Sequence, residues 1–295
     1  MKAVTTACPR PLSSRTARPW TTRFAILSAL LLCVASSVAT AAPLPIAVTA
    51  SGNRADVVIG NPLQPLAEVS LDFQDATGLS PASLGVSAEQ IDILDPVLLA
   101  RLPNASLNAL PSALPLLITI EPSATGGLSF RNTGRMEIHT HAIPYSIGSS
   151  FRVFKAPLGG AFRDVTDEIA QGSTRARTTY GGFSQFLILA DLRSTGTVID
   201  EKIGWLRSKV AALPLNERGA FTAFLDQAET AVDAAAYSTA LSAIDNFRAR
   251  AQARAGQFLP NEWRATRTVD NQAGELVAGA NTLTFSVAYL RDFGQ

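Results

Sequence analysis

Between residues 44 and 192, apolar and polar positions alternate in short runs, and glycine, proline, asparagine or serine bounds each run. Alternation with a period of two is typical of β-strands that bury one face. Strands of this length, joined by turn residues, predict an antiparallel sandwich or barrel, because no segment here has the length of the helical crossover that parallel strands need. The predicted strands are ADVVIG (55–60), AEVSLDF (67–73), LPLLITIEP (114–122), GLSF (127–130), RMEIHTHAI (135–143), SFRVFKA (150–156), RARTTY (175–180) and FSQFLILAD (183–191).

The period of the apolar positions changes near residue 196. Ile199, Ile203 and Leu206 recur at spacings of four and three, which places them on one face of a helix. The same spacing recurs farther along the chain and predicts helices over 198–213, 217–235, 239–256 and, in most of its length, 261–280. Residues 281–290 are rich in β-branched and aromatic side chains, so they form either a closing strand or the buried end of the last helix.

These patterns predict a segregated α+β fold, in which an antiparallel β-sandwich precedes a small helical bundle. The predicted organisation is a signal peptide over 1–41, a sandwich domain over 42–192 and a helical domain over 196–295, the last with a terminal strand if 282–290 is extended. One segment, 93–115, fits neither period and predicts a short helical turn followed by a proline-punctuated loop.

The first 41 residues have the composition of a bacterial export signal. Five basic residues and no acidic residue accompany an apolar run from Phe24 to Val34, and Ala39-Thr40-Ala41 fits an A-x-A cleavage site. We therefore expect cleavage after Ala41 and a periplasmic or secreted protein. If the leader is not cleaved, it is the segment that contacts the membrane.

Export removes both cysteines, because Cys8 and Cys33 lie in the predicted leader. The remaining chain has no disulfide, so its own core must stabilise it. It contains 20 basic and 24 acidic residues. A surface that follows nucleic-acid phosphates needs a clustered basic excess, so this balance argues against nucleic acid as a partner.

The stretch RMEIHTHAIPY (135–145) contains both histidines of the chain. In a strand, Glu137, His139 and His141 share one face, and two histidines about 6–7 Å apart can chelate one zinc ion. Glu137 is about 13 Å from His141, so a third ligand must come from another strand. The candidates for it are Asp164, Asp167 and Glu168. The simpler interpretation is the solvated face of a half-buried strand, and we keep His139 and His141 as candidate metal ligands.

Other chemistries lack their sequence patterns. A nucleophile elbow requires Gly-x-Ser-x-Gly, and the nearest segment, GFSQF (182–186), lacks the second glycine. The chain has neither a phosphate-binding glycine loop nor a dinucleotide fingerprint. Paired carboxylates of glycosidases have no such pattern, so that alternative stays open. We predict no catalytic residue and no cofactor.

Two aromatic residues of the helical region are predicted to pack rather than to bind a ligand. Trp205 lies one position off the apolar stripe of the first helix, and we expect it to flank that stripe. Trp263 is expected to dock the last helix on the bundle.

A longer segment resembles a known module. GLSFRNTGRMEIHTHAIPY, SSFRVFKAPLGGAFRDVT and TTYGGFSQFLIL together make residues 117–190 similar to the ZU5-like β-sandwich modules of bacterial surface proteins. The chain also resembles a group of uncharacterised secreted bacterial proteins, in which an Ala-rich helical tail contains units like WRA (263–265) and NQAG (271–274). The resemblance implies a shared architecture and an interaction or structural role, without catalytic residues.

The expected function is therefore an exported, non-enzymatic binding or structural module of the cell envelope or secretome, with an unknown protein or glycan partner. Two alternatives stay open. One is a metal-dependent hydrolase that uses His139 and His141. The other is a small-molecule or glycan-binding protein with a cleft between sandwich and bundle, and a large apolar pocket with convergent polar groups would favour it.

Overall fold

A computed structural model describes residues 42–294, which belong to one compact unit. The predicted signal peptide, its cleavage site at Ala41 and both cysteines lie outside the described residues. Within those residues the chain forms two antiparallel seven-stranded sheets and six α-helices. The α+β class, with a sandwich followed by helices, is confirmed.

The strands in chain order are β1 Ala42–Pro43, β2 Ile46–Ser51, β3 Arg54–Asn61, β4 Gln64–Thr77, β5 Val86–Gln90, β6 Asn108–Ala109, β7 Leu116–Ile120, β8 Ser129–Thr140, β9 Phe151–Ala156, β10 Arg163–Asp164, β11 Glu168–Ala170, β12 Thr174–Tyr180, β13 Gln185–Asp191 and β14 Glu262–Arg264. The first sheet has the order β1-β5-β7-β13-β9-β10, with β6 also beside β13. The second has the order β11-β12-β8-β4-β3-β2, with β14 also beside β8.

The helices are α1 Pro81–Leu84, α2 Pro96–Leu99, α3 Thr195–Ala211, α4 Leu215–Asp233, α5 Tyr237–Arg254 and α6 Gln272–Phe293. The segment 93–115 contains the helical turn α2 and loops, as its sequence predicts, and also the short strand β6, which was not predicted. No helix within 42–294 combines the length and the apolar character that a membrane crossing requires.

The main core lies between the two sheets. Alternating residues of β3, β4, β8, β7 and β13 enter it from opposite sides, which is the burial that period-two alternation predicts. Its aromatic centre contains Trp263, which stacks on Phe130 with 5.4 Å between ring centroids and meets Phe183 edge-on at 5.0 Å. The prediction that Trp263 docks the last helix on the bundle is wrong, because this ring belongs to the sandwich core.

The region after α5 differs from the predicted helix over 261–280. Residues 262–264 form β14, which pairs with β8 in the register Trp263↔Phe130, and α6 begins only at Gln272. Burial of the Trp263 ring overrides the moderate helix propensity of this segment. The terminal run 281–290 is the buried end of α6, so the chain has no closing strand there.

Helix α6 lies between the sandwich and the other helices. Its apolar side packs with α3, α4 and α5 in a second core, and it also contacts β8 and β12. Its start is fixed by Asn271, whose Oδ1 accepts from the Gly274 N–H at 2.9 Å, while Nδ2 donates to the carbonyls of Asn132 (2.6 Å) and Gly181 (3.0 Å). A Cβ at Gly274 would overlap the Asn132 carbonyl oxygen. The NQAG unit therefore joins the last helix to the sandwich.

Candidate functional site

A cleft of about 740 Å³ opens where the sandwich meets the helices. Its sandwich wall consists of the end of β9, β10 and the loop 181–184. Its helical wall consists of the second half of α3 and the first turn of α6. A cleft between layers that are themselves well packed is a common place for a small-molecule site.

Cationic side chains predominate around this cleft. Lys155 extends from β9, Arg163 from β10 and Lys209 from α3, and Arg267 follows β14. The acidic lining residues are only Asp270 and Glu275. The lining therefore has an excess of two positive charges, although residues 42–295 as a whole have an excess of acids. This local reversal of charge is what a site for anions requires.

Glu275 lies at the centre of the cations. Its carboxylate is 3.4 Å from Lys155 Nζ, 3.6 Å from Arg163 Nη2 and 4.0 Å from Lys209 Nζ. Of these contacts only the one with Lys155 is also a hydrogen bond, and it is long. Three cations thus share one carboxylate without saturating their donors, which leaves N–H groups for another acceptor.

The electrostatics of the cluster follow from this crowding. Burial by itself would raise the pKa of Glu275, but the attraction of Lys155, Arg163 and Lys209 outweighs it and lowers that pKa to about 2. Burial lowers the pKa of Lys155, and the neighbouring Arg163 and Lys209 lower it further against the pull of Glu275. The pKa values of the acid Glu275 and the base Lys155 are both lowered, as expected in a positive local potential.

Aromatic and apolar side chains form the rest of the cleft. Trp205 is half-buried in the wall, with Arg163 Cζ 3.8 Å and Lys209 Nζ 5.2 Å from its ring centroid. Both contacts are cation–π interactions. Trp205 therefore flanks the apolar stripe of α3 as predicted, yet its ring faces the cleft instead of lying wholly in the core. Trp263 contributes an edge of its ring beside Gly182, where a Cβ would press against the indole.

The two histidines lie away from this cleft, on β8 of the second sheet and just after it. Met136 and Ile138 point into the core, whereas Glu137 and His139 are half-buried and His141 is exposed, which is the predicted alternation. Nδ1 of His139 lies 3.0 Å from Glu68 Oε2. Nδ1 of His141 lies 2.7 Å from Ser173 Oγ. The two imidazoles meet edge-on at 4.8 Å between centroids.

None of the predicted third ligands joins the histidines. Asp164 forms an ion pair with Lys202 at 2.8 Å, Asp167 accepts from Thr179 Oγ1 at 2.5 Å, and Glu168 accepts from Arg177 at 2.7 Å. Glu137 is held between Arg175 and Arg177. Within residues 42–294 no group of three His, Cys, Asp or Glu side chains is placed to hold a metal ion. The metal site at His139 and His141 stays a prediction.

Sequence reasoning did not find the cleft residues, because they come from segments that are distant along the chain. Lys155, Lys209 and Glu275 are separated by dozens of residues and share no motif. The available signal was the position of Trp205, one step off the apolar stripe, with a lysine four residues later on the same side of the helix.

Comparison with known proteins identifies a family whose function is unknown. The chain belongs to the family of unknown function DUF6689, whose model matches residues 29–291. No curated protein and no solved structure matches the chain.

Proposed function

We propose that this member of DUF6689 is a non-enzymatic binding protein, and that the cleft between sandwich and helices holds a small organic anion. The observation that carries the proposal is the convergence of Lys155, Arg163 and Lys209 on one carboxylate, within a cleft that also has apolar walls. An excess of buried or half-buried cations destabilises the fold unless an anion compensates it, because each buried charge loses hydration.

The lining indicates the chemistry of the ligand. Cations supply charge-assisted hydrogen bonds to a carboxylate, sulfonate or phosphate. Phe162, Phe183 and Leu276 supply apolar contact for the body of the ligand. The volume of about 740 Å³ is within the range of drug-sized ligand sites. A sugar or lipid fragment that carries an acidic group fits this description better than a neutral glycan does.

The cellular setting belongs to the same proposal. The leader over 1–41 supports export to the periplasm or beyond, and the resemblance of residues 117–190 to ZU5-like modules supports an interaction role. In this proposal the partner is a molecule of the cell envelope, bound without chemical change.

Intrinsic fluorescence provides a direct test. In a protein comprising residues 42–295 the only tryptophans are Trp205 and Trp263, and both line the cleft. Titration with 8-anilinonaphthalene-1-sulfonate should change their emission in a saturable way. N-phenyl-1-naphthylamine has the same rings without the sulfonate, so we expect it to bind at least about tenfold more weakly.

A pair of variants on one helix controls for nonspecific effects. Lys209→Gln removes a cleft cation whose side chain is 42% exposed, so the fold should tolerate it. Arg207→Gln removes the same charge two residues away, where the guanidinium pairs with Asp226 and Glu229 outside the cleft. Weaker binding in the first variant alone supports the proposal. Equal binding of the charged and neutral probes, or equal weakening in both variants, would refute it.

A further inference from the structure

A second recess lies at the other end of the interface between α3 and α6, and we propose that it is a site for a phosphate-type oxyanion. It encloses about 300 Å³, and its walls include Arg152 of β9, Ser150 before it, Thr195 at the start of α3, and Phe285, Ser286 and Tyr289 of α6. No residue of the cleft described above lines it. The inference is therefore independent of the proposed function.

Arg152 is the central group of this recess. The residue is only 7% exposed, and its guanidinium lies against the rings of Tyr289 (4.2 Å) and Phe285 (5.1 Å). Nη1 donates to the carbonyls of Ser149 (2.6 Å) and Phe151 (2.7 Å). Within the described residues Nε and Nη2 make no hydrogen bond, and neither atom is fully buried, while the Arg152 side chain lines the recess.

The acids near Arg152 form their ion pairs with other cations. Asp191 lines the recess, but its carboxylate accepts from Arg193 at 2.7 and 2.9 Å and from Asn108 at 2.8 Å. Asp164 forms its ion pair with Lys202. In the part of the chain that the structure describes, Arg152 forms no ion pair, so a buried cation with free donors faces the recess. Asp164 attracts this guanidinium only from beyond ion-pair distance, so an anion held directly beside Arg152 would offset more of the cost of its burial.

The other groups of the recess suit the same ligand. Helix α3 has 17 residues and points its N-terminus at the recess, where the N–H of Thr195 has no partner within the helix. Ser286 Oγ accepts from Lys202 Nζ at 2.8 Å, so its own proton remains free to donate. A forked guanidinium, a helix N-terminus and hydroxyl groups form the donor set that phosphate oxygens prefer. The volume admits a phosphate with a few water molecules.

Calorimetric titration of the full chain with inorganic phosphate, at ionic strength held constant with sodium chloride, tests the site. We expect saturable binding that Arg152→Gln weakens about tenfold or more, because a buried charge-assisted contact is lost. Arg101→Gln is the matched control. Arg101 also stacks on a ring, Phe162 at 4.5 Å, and donates to a carbonyl, Gly160 at 2.8 Å, but it lies outside the recess. Its loss should change phosphate affinity less than twofold.

A second variant protects the test against failure of Arg152→Gln to fold. Thr195→Glu places a carboxylate at the start of α3, in the wall of the recess that Arg152 also lines, where the helix dipole favours a negative charge. We expect this variant to melt at a higher temperature than the wild type and to lose phosphate binding. Glycerol phosphate in place of inorganic phosphate shows whether the site also accepts a phosphoryl group on a larger molecule, and binding of either one supports the site.

Four results would overturn the inference. They are the absence of binding of both inorganic phosphate and glycerol phosphate to the wild-type chain, equal weakening by Arg101→Gln and Arg152→Gln, unchanged binding in Thr195→Glu, and loss of binding in Lys209→Gln with retention in Arg152→Gln. The last result would place the ion in the larger cleft. The first three results do not depend on whether the larger cleft binds an organic anion, and the fourth result distinguishes the two sites, so the two proposals fail separately.

Discussion

Replacing Glu275 by glutamine removes the carboxylate that the cations Lys155, Arg163 and Lys209 share. In the folded protein the pKa of Glu275 is about 2, against 4.5 for an ordinary glutamate, and the side chain is 19% exposed. This lowering of the pKa corresponds to about 3 kcal/mol of stability at neutral pH. We therefore expect Glu275→Gln to reduce the free energy of unfolding by about 3 kcal/mol at pH 7.

The pH dependence makes this prediction specific. Because the folded pKa is depressed, the contribution of Glu275 is fully present above about pH 5 and is lost as the pH falls toward 2. The difference between wild type and variant should therefore shrink by about 2 kcal/mol between pH 7 and pH 3. Urea denaturation followed by circular dichroism at both pH values measures it, since urea adds no ionic strength.

The matched control is Glu121→Gln, which removes an exposed carboxylate that pairs with Arg267 at 3.0 Å. An exposed pair is worth about 0–1 kcal/mol, so this variant should stay close to the wild type. A loss below about 1 kcal/mol for Glu275→Gln at pH 7, or a loss that does not change with pH, would refute the electrostatic account of the cluster. If the account holds, the same substitution should also tighten binding of the naphthalene sulfonate, because it raises the positive charge of the cleft.

Three further predictions concern other parts of the molecule. Burial raises the pKa of Asp167 to about 7, so ionised Asp167 lowers the free energy of unfolding increasingly as the pH rises from 4 to 7. Asp167→Asn should therefore stabilise the fold by about 3–4 kcal/mol at pH 8 and by almost nothing at pH 4, as measured by urea denaturation. Gly274→Ala should destabilise the fold by about 1–3 kcal/mol by the same measurement, because its Cβ would overlap the Asn132 carbonyl oxygen. Gly219→Ala, whose Cβ would meet open space in a helix, should stabilise the fold by up to about 1 kcal/mol. Elemental analysis of untagged protein should find less than stoichiometric zinc, since no group of three His, Cys, Asp or Glu side chains among the described residues is placed to hold a metal ion. Stoichiometric zinc that is lost in His139→Ala would support the metal site instead.

The strands were predictable because their signal is local. Alternation in β3 and β4 reports directly which side of a sheet each residue faces, and the structure buries the expected side. The runs 127–130 and 135–143 were predicted as two strands, but they form the single strand β8. Asn132, with φ of 58°, and a register shift opposite Phe73/Asp75 let one strand continue through residues that resemble a turn.

Features that depend on distant contacts were not predictable. β14 has only three residues, and it is extended because it pairs with β8 and because Trp263 packs in the sandwich core. The apolar positions of residues 281–290 fit both the strand period of two and the helix period of 3.6. Because α6 is buried on most sides, no polar stripe marks it as a helix. The cleft brings together residues from β9, β10, α3 and α6, and the sequence carries no pattern for such an encounter.

A crystal structure of residues 42–295 with 8-anilinonaphthalene-1-sulfonate is the most direct test of the central claim. The account predicts the sulfonate within hydrogen-bonding distance of Lys155, Arg163 or Lys209, and the rings against the apolar wall near Trp205. A bound sulfonate elsewhere on the protein, with the cleft filled only by water at saturating probe, would contradict it.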